Sequence, residues 1–305
     1  WLSRVWRANR KNTTLHKLGL NGSVCGHVFL KVMVGRNGLP RLIVLDPAHA
    51  EPEWSVDDVD ALERVTIAYE AMEAGQLVKY RQVIERSGAA WVIVDERAVG
   101  NQRVYAEMGR EVWPHSWCPV HHCQNLPDPN VFWGMSDLED DVIALNESAN
   151  FVLSNINRIL RYHAHPKTWG KGIKTSEMDI SPDGAILLSN PDASLNNLEM
   201  LGDLSSSIEY FGQVRQALRE ITHVPEVALG GMADASRVSS LALKVMYSPL
   251  LMHTGKKRAS YGEMLEELNA HLLEMGGFGA GVYVRNVWPH VLPVDPMQEA
   301  QVAVM

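Results

Sequence analysis

The chain has 305 residues, of which 46% are hydrophobic and 21% charged, with a net charge of -8 and a pI near 5.8. That is globular rather than disordered material, and its acidity argues against a protein that grips nucleic-acid phosphates over a broad basic face. No apolar run reaches the roughly 18 residues of a membrane span, nothing resembles a signal peptide, and Cys25, Cys118 and Cys123 are too scattered for a disulfide framework, which fits a reducing compartment.

Residues 1–18 are predicted to be helical and basic, with Trp1, Val5 and Trp6 at helical spacing. Trp1 is not an initiator, and "WLSRVWRANRKN" reads as the middle of a helix, so the chain is expected to be part of a longer protein. Ser23–Val34 alternates in the manner of a strand through Val24, Val28, Leu30, Val32 and Val34. A turn at Gly35–Gly38 leads to a second strand, Arg41–Pro47. Further strands are expected at Arg64–Met72, Leu77–Glu85, Ala90–Glu96 and Arg103–Met108, so residues 23–122 read as an antiparallel, mostly β region.

The pattern then changes. Ser136 followed by Glu139 fits a capping box at a helix start. Apolar residues step by four and three through Leu138, Val142, Leu145, Ala149, Val152, Ile156 and Ile159, a heptad-like seam. Ile143, Leu153 and Leu160 widen it. Pro166 stops this helix, predicted over 136–163. A unit rich in Gly, Ser, Asn and Asp follows at 164–202, with a strand-like Gly184–Ser189. A second helix is predicted over 203–222, with Asp203 as N-cap and Leu204, Ile208, Phe211, Val214, Leu218 and Ile221 on its apolar side. Residues 223–233 form a loop with Pro225 and the pair Gly230–Gly231. A long helix is expected over 234–275, kinked at Pro249. Residues 276–305 should supply one more strand and a turn.

Chemical candidates are weak. Trp113–Cys123 holds two cysteines and three histidines, yet no second ligand pair follows, and adjacent His121 and His122 on a strand point to opposite faces. An ordinary strand is the expected reading. Gly276–Gly281 follows a helix, not a strand, so the dinucleotide-loop context fails. Thr254–Lys257 lacks the upstream glycine of a phosphate loop. No catalytic triad or carboxylate pair stands out, so neither an enzyme nor a metal or other cofactor is expected. The seam does stand out. It is acidic at its start and basic towards its end, which suits a helix dipole. A helix apolar on more than one side, followed across a small insert by another, suits a ring of helical hairpins in which neighbouring subunits share the seam.

In its ordered set of segments the chain resembles the portal proteins of tailed double-stranded-DNA phages and related prophages. The resemblance rests on Gly22–Trp54, on Cys118–Asn150 and on Ser236–Met275. Within Cys118–Asn150, Pro119, Asn125, Gly134, Ser136 and Asp137 fill the places of a strand end, a loop and a Gly-x-Ser-Asp turn before the long helix. The resemblance implies an α+β portal fold with a β-rich wing at 1–135, a stem helix at 136–163 and a small α/β clip insert at 164–202. A second stem helix at 203–222, a tunnel loop at 223–233 and a long kinked helix at 234–275 would follow. Residues 276–305 would close the wing, with the crown cut short.

It further implies a homo-oligomeric ring, usually of twelve subunits, at one capsid vertex of the virion, assembled in the host cytoplasm. Double-stranded DNA would pass through its channel. The partners implied are the terminase large subunit, a head–tail adaptor, and the major capsid and scaffolding proteins, with no membrane. Leu138, Val142, Leu145, Ala149, Val152, Ile156 and Ile159 would form the stem interface between subunits. Val227, Ala228, Leu229, Gly230, Gly231 and Met232 would face DNA without a cation, and Arg158, Arg215 and Arg219 are candidates for sparse basic rings. The rival readings are a structural or scaffolding helical oligomer without a channel and a metal-dependent nucleic-acid enzyme built on Cys118–Cys123.

Overall fold

The computed structural model describes residues 1–35, 38–100, 102–164, 168–172, 190–197, 204–230 and 240–292. The chain divides into two compact units, one of Trp1–Glu139 with His223–Met305 and the other of Asp140–Thr222.

The first unit opens with two helices where one was expected. Helix α1 (Leu2–Ala8) ends at Asn9, and α2 (Lys11–Cys25) begins after Arg10, whose φ of 51° breaks the helical path. Helix α2 overruns the strand predicted from Ser23. It stops at Gly26, which takes the left-handed conformation (φ 77°) that suits glycine at a helix C-terminus. Strand β1 (His27–Val34) therefore starts at His27, and its first six residues are all buried. It lies at the centre of a three-stranded antiparallel sheet, between β2 (Pro40–Leu45) and β8 (Val120–Gln124).

A second sheet is an antiparallel meander of β3 (Ala50–Trp54), β4 (Leu62–Glu73), β5 (Gln76–Ser87), β6 (Ala90–Val99) and β7 (Ala106–Val112), in chain order. The β4–β5 turn is the pair Ala74–Gly75, with φ of 48° and 82°, the conformation that matches a two-residue hairpin to strand twist. Strand β7 starts at Ala106 rather than Arg103 and is exposed along its whole length.

Two further expectations are corrected. The helix predicted over 234–275 is, among the described residues, two helices, α5 (Ser240–Met246) and α6 (Ser248–Met275). Pro249 does not kink a continuous helix. It stands in the first turn of α6, where a missing N–H costs no helical hydrogen bond. The closing strand is also absent from the described residues, because 282–292 bonds to α6 instead of a sheet. Asn286 N donates to Glu266 Oε1 at 2.7 Å, Asn286 Nδ2 to Gly262 O at 2.8 Å, and Arg258 Nη2 to Pro289 O at 2.6 Å.

The core joins Val5 and Trp6 of α1, Leu18 of α2, Val28–Leu30 of β1 and Leu265, Leu268 and Leu272 of α6. Several of its polar groups are bonded. Trp6 Nε1 donates to Asn269 Oδ1 at 2.7 Å, and Asn9 donates to Val5 O and Pro40 O while accepting from Leu42 N. Such pairing removes most of the cost of burying polar atoms.

The second unit consists of α3 (Asp140–Ala164), the antiparallel ribbon β9 (Thr168–Lys171) and β10 (Ser194–Asn197), and α4 (Leu204–Ile221). Helices α3 and α4 pack on one another. The strand expected at Gly184–Ser189 and the cap expected at Asp203 lie outside the described residues.

Candidate functional site

The segment before α3 is fastened by backbone contacts that only glycine allows. A Cβ on Gly26 would lie 2.3 Å from Gly134 O, and one on Gly134 would lie 2.6 Å from Gly26 O. The two backbones thus touch. Asn125 N donates to Gly26 O at 2.8 Å, and Met135 N to Leu126 O at 3.0 Å.

Ser136 and Asp137 complete the attachment. Ser136 Oγ is 2.8 Å from Ser23 O and 2.9 Å from Val24 O, and it accepts from Leu138 N at 2.9 Å. Asp137 N donates to Ser23 O at 2.9 Å. The Asp137 carboxylate receives Lys257 Nζ and, at 3.0 Å, His253 Nε2, both from α6. Burial alone would raise the Asp137 carboxyl, but hydrogen bonds from Lys257, Ser23 and His253 outweigh it and hold the group below the ordinary carboxylate value.

This network explains a correction. The capping box at Ser136–Glu139 does not form a helix start, because Ser136 and Asp137 are committed to α2 and α6. The helix begins at Asp140, with Asp140 and Asp141 at its positive end. Leu138 lies off the helix and is exposed.

Within the second unit, Val142 and Ile156 of α3 and Val214 of α4 are buried, and Leu145, Ala149, Val152 and Ile159 are half-buried. Much of the seam is therefore occupied between helices of one chain. The apolar side chains left open are Ile143, Phe151, Leu153 and Leu160 on α3 and Ile208, Tyr210 and Ile221 on α4. Exposed apolar side chains thus remain on both helices after the two have packed on one another. Arg158 is exposed, and Arg215 is exposed with its guanidinium 5.9 Å from the Phe211 ring centre. Arg219 is half-buried.

Back in the first unit, the segment expected to be a loop at 223–233 holds a short 3₁₀ turn, Glu226–Leu229, after Pro225. Gly230 closes it with φ of 79°, its N–H meeting Val227 O at 3.2 Å. Val227 is half-buried, while Ala228, Leu229 and Gly230 are exposed. Gly231 and Met232 lie outside the described residues. At the start of the segment the His223 ring meets that of His253 edge-on, 5.3 Å between centres. His253 is thus shared between this segment and the Asp137 attachment, a link that a separation of 30 positions in the sequence did not disclose.

The Cys118–Cys123 stretch does not converge as a cysteine–histidine cluster. His122 turns to His27, with 3.1 Å between ring nitrogens, while His121 turns to α6 and His115 to Glu274. Burial pushes the thiols of Cys118 and Cys123 up to about 12.

Comparison with known proteins adds the following. The family model described as "Phage portal protein, SPP1 Gp6-like" matches residues 2–304. No curated protein matches the chain. Among solved structures it is similar to one titled "Neck of empty GTA particle computed with C6 symmetry". That likeness has 12% identity and a TM-score of 0.49, covering 85% of this chain and 65% of the other. It is also similar to one titled "Neck of native GTA particle computed with C12 symmetry", with 14% identity and a TM-score of 0.47, covering 86% and 67%. The chain thus spans about two thirds of the length of these neck proteins.

Proposed function

The chain belongs to the SPP1 Gp6-like phage portal protein family, and from that premise we propose that it is a subunit of a ring at one capsid vertex, the conduit through which double-stranded DNA enters and leaves. The observation that carries the reading is the family match over residues 2–304, joined to a helix pair on which apolar side chains remain exposed. In this reading α3 and α4 are the stem, β9 and β10 belong to the clip, and Glu226–Gly230 belongs to the tunnel segment.

The ring has about twelve copies, with the open face of α3 and α4 meeting neighbouring subunits. The clip side meets the terminase large subunit during packaging and a head–tail adaptor afterwards, and the wing meets capsid and scaffolding proteins. The tunnel segment suits a passage rather than a grip. It offers Glu226, Val227, Ala228, Leu229 and Gly230 and no lysine or arginine, so DNA slides without the many phosphate contacts that make binding tight and salt-sensitive. Arg158, Arg215 and Arg219 supply sparse positive charge in the stem. The family is a structural one, and no catalytic role is assigned.

The test is to delete Ala228–Met232 in the virion. Rings are expected to form and particles to remain short of DNA. Particles filled as in the parent would contradict the channel role.

A further inference from the structure

Helix α6 carries Glu267 and His271 one turn apart, so both side chains leave the same face of the helix. Strand β8 packs on α6 and brings His121 to that face. His121 is buried, and its Nε2 stands 2.8 Å from His271 Nδ1. One ligand atom from each of His121, Glu267 and His271 lies within 4.8 Å of the other two.

The surroundings favour a cation here. Among the described residues no lysine or arginine pairs with Glu267. His121 Nδ1 is buried without a partner, so the pair of rings does not satisfy itself. Trp117 stacks on His271 with 4.3 Å between ring centres and 7° between planes, which fixes the plane of that imidazole. A cleft of about 700 Å³, lined by Cys118, His121, Glu263 and Glu267, leads to the group and gives room for water.

We propose that His121, Glu267 and His271 bind a divalent transition-metal ion, zinc by ligand type, which staples strand β8 to helix α6. Two imidazoles and one carboxylate with an open fourth position suit tetrahedral zinc. Zinc–nitrogen bonds of about 2.0–2.1 Å set tetrahedral ligands about 3.3 Å apart, so the two ring nitrogens, now 2.8 Å apart, separate by a small side-chain rotation on binding. The ion neutralises Glu267 and joins two elements of the core.

The test uses the full chain, loaded with zinc, dialysed, and assayed for metal and for thermal midpoint. Equimolar zinc and a raised midpoint are expected, and cobalt in its place should show the visible absorption of a tetrahedral site. The near-isosteric Glu267→Gln, checked for folding by circular dichroism, should weaken zinc binding at least tenfold, as should His271→Ala. His122→Gln, on the opposite face of β8, should retain it. Absence of retained zinc in the parent chain, parental affinity in Glu267→Gln, or equal loss in a folded His122→Gln would each overturn the site. None of these readouts depends on ring assembly.

Discussion

His253 Nε2 stands 3.0 Å from Asp137 Oδ1, on a carboxylate that Lys257 also holds. Two residues of α6, one turn apart, thus secure the residue that precedes α3 by only three positions. The His253 ring also meets His223, where the proposed tunnel segment begins. The place where the chain leaves the first unit and the place where it returns are tied to one helix.

Asp137→Asn should therefore destabilise the first unit by about 1–3 kcal/mol, the cost of losing a charged hydrogen-bond partner. The sign with pH follows from the lowered carboxyl. The fold favours the ionised form, so the contribution is present above the unfolded value of 3.8 and is lost as pH falls through the lower folded value. Urea unfolding of both proteins along an acid series checks this, since the difference between them should shrink at low pH.

His27 acts in the same sense at higher pH, because the fold favours its neutral form. Burial first, and the neighbouring His122 second, push its imidazole from 6.5 down to about 3. Between these values the unfolded chain binds the proton and the folded chain does not, so stability falls as pH drops from 6.5 towards 3. His27→Phe, which keeps the ring stack with Phe132, should flatten that slope in urea midpoints taken above 6.5 and midway to 3.

Gly22 lets α2 cross α6. A Cβ there would lie 1.8 Å from Tyr261 Oη, whose proton is donated to Asn125 Oδ1 at 3.1 Å. Gly22→Ala should cost about 1–3 kcal/mol by overpacking. Tyr261→Phe removes the clashing oxygen, so the double variant should recover part of that loss, with a coupling energy measurable by equilibrium unfolding.

Charge on α3 should separate two roles. Ile156 is buried, so Ile156→Glu is expected to unfold the helix pair, at a cost of several kcal/mol, roughly 3–5. Phe151 and Leu153 are exposed, so Phe151→Glu and Leu153→Glu should leave helical circular dichroism intact and block assembly beyond the single chain. Sizing chromatography with circular dichroism on each variant tells the two effects apart.

The β region, the long helix and its partner were legible because their signals are local. Alternating valines mark strands, and a step of four and three marks a helix. Ends were harder. Helix α2 ran into a stretch whose valines alternate, because Gly26 and not the pattern decides its stop. Helix α3 began four residues late, because Ser136 bonds to carbonyls of α2 more than 100 residues away. The tail at 282–292 has strand composition, yet Glu266 and Gly262 capture it. In the candidate site, Gly134, Ser136 and Asp137 were visible as a turn, but their partners His253 and Lys257 were not. Nothing in the sequence tied His121 to His271, since only the packing of β8 on α6 brings them together.

The central claim is that copies of this chain close into a ring. The most direct measurement is the mass of the purified chain by light scattering behind a sizing column. The account predicts a species of about twelve subunits, falling to the single chain of 34.0 kDa in Leu153→Glu. A parent chain that stays at monomer mass at every concentration, or a Leu153→Glu variant that keeps the ring, would contradict it.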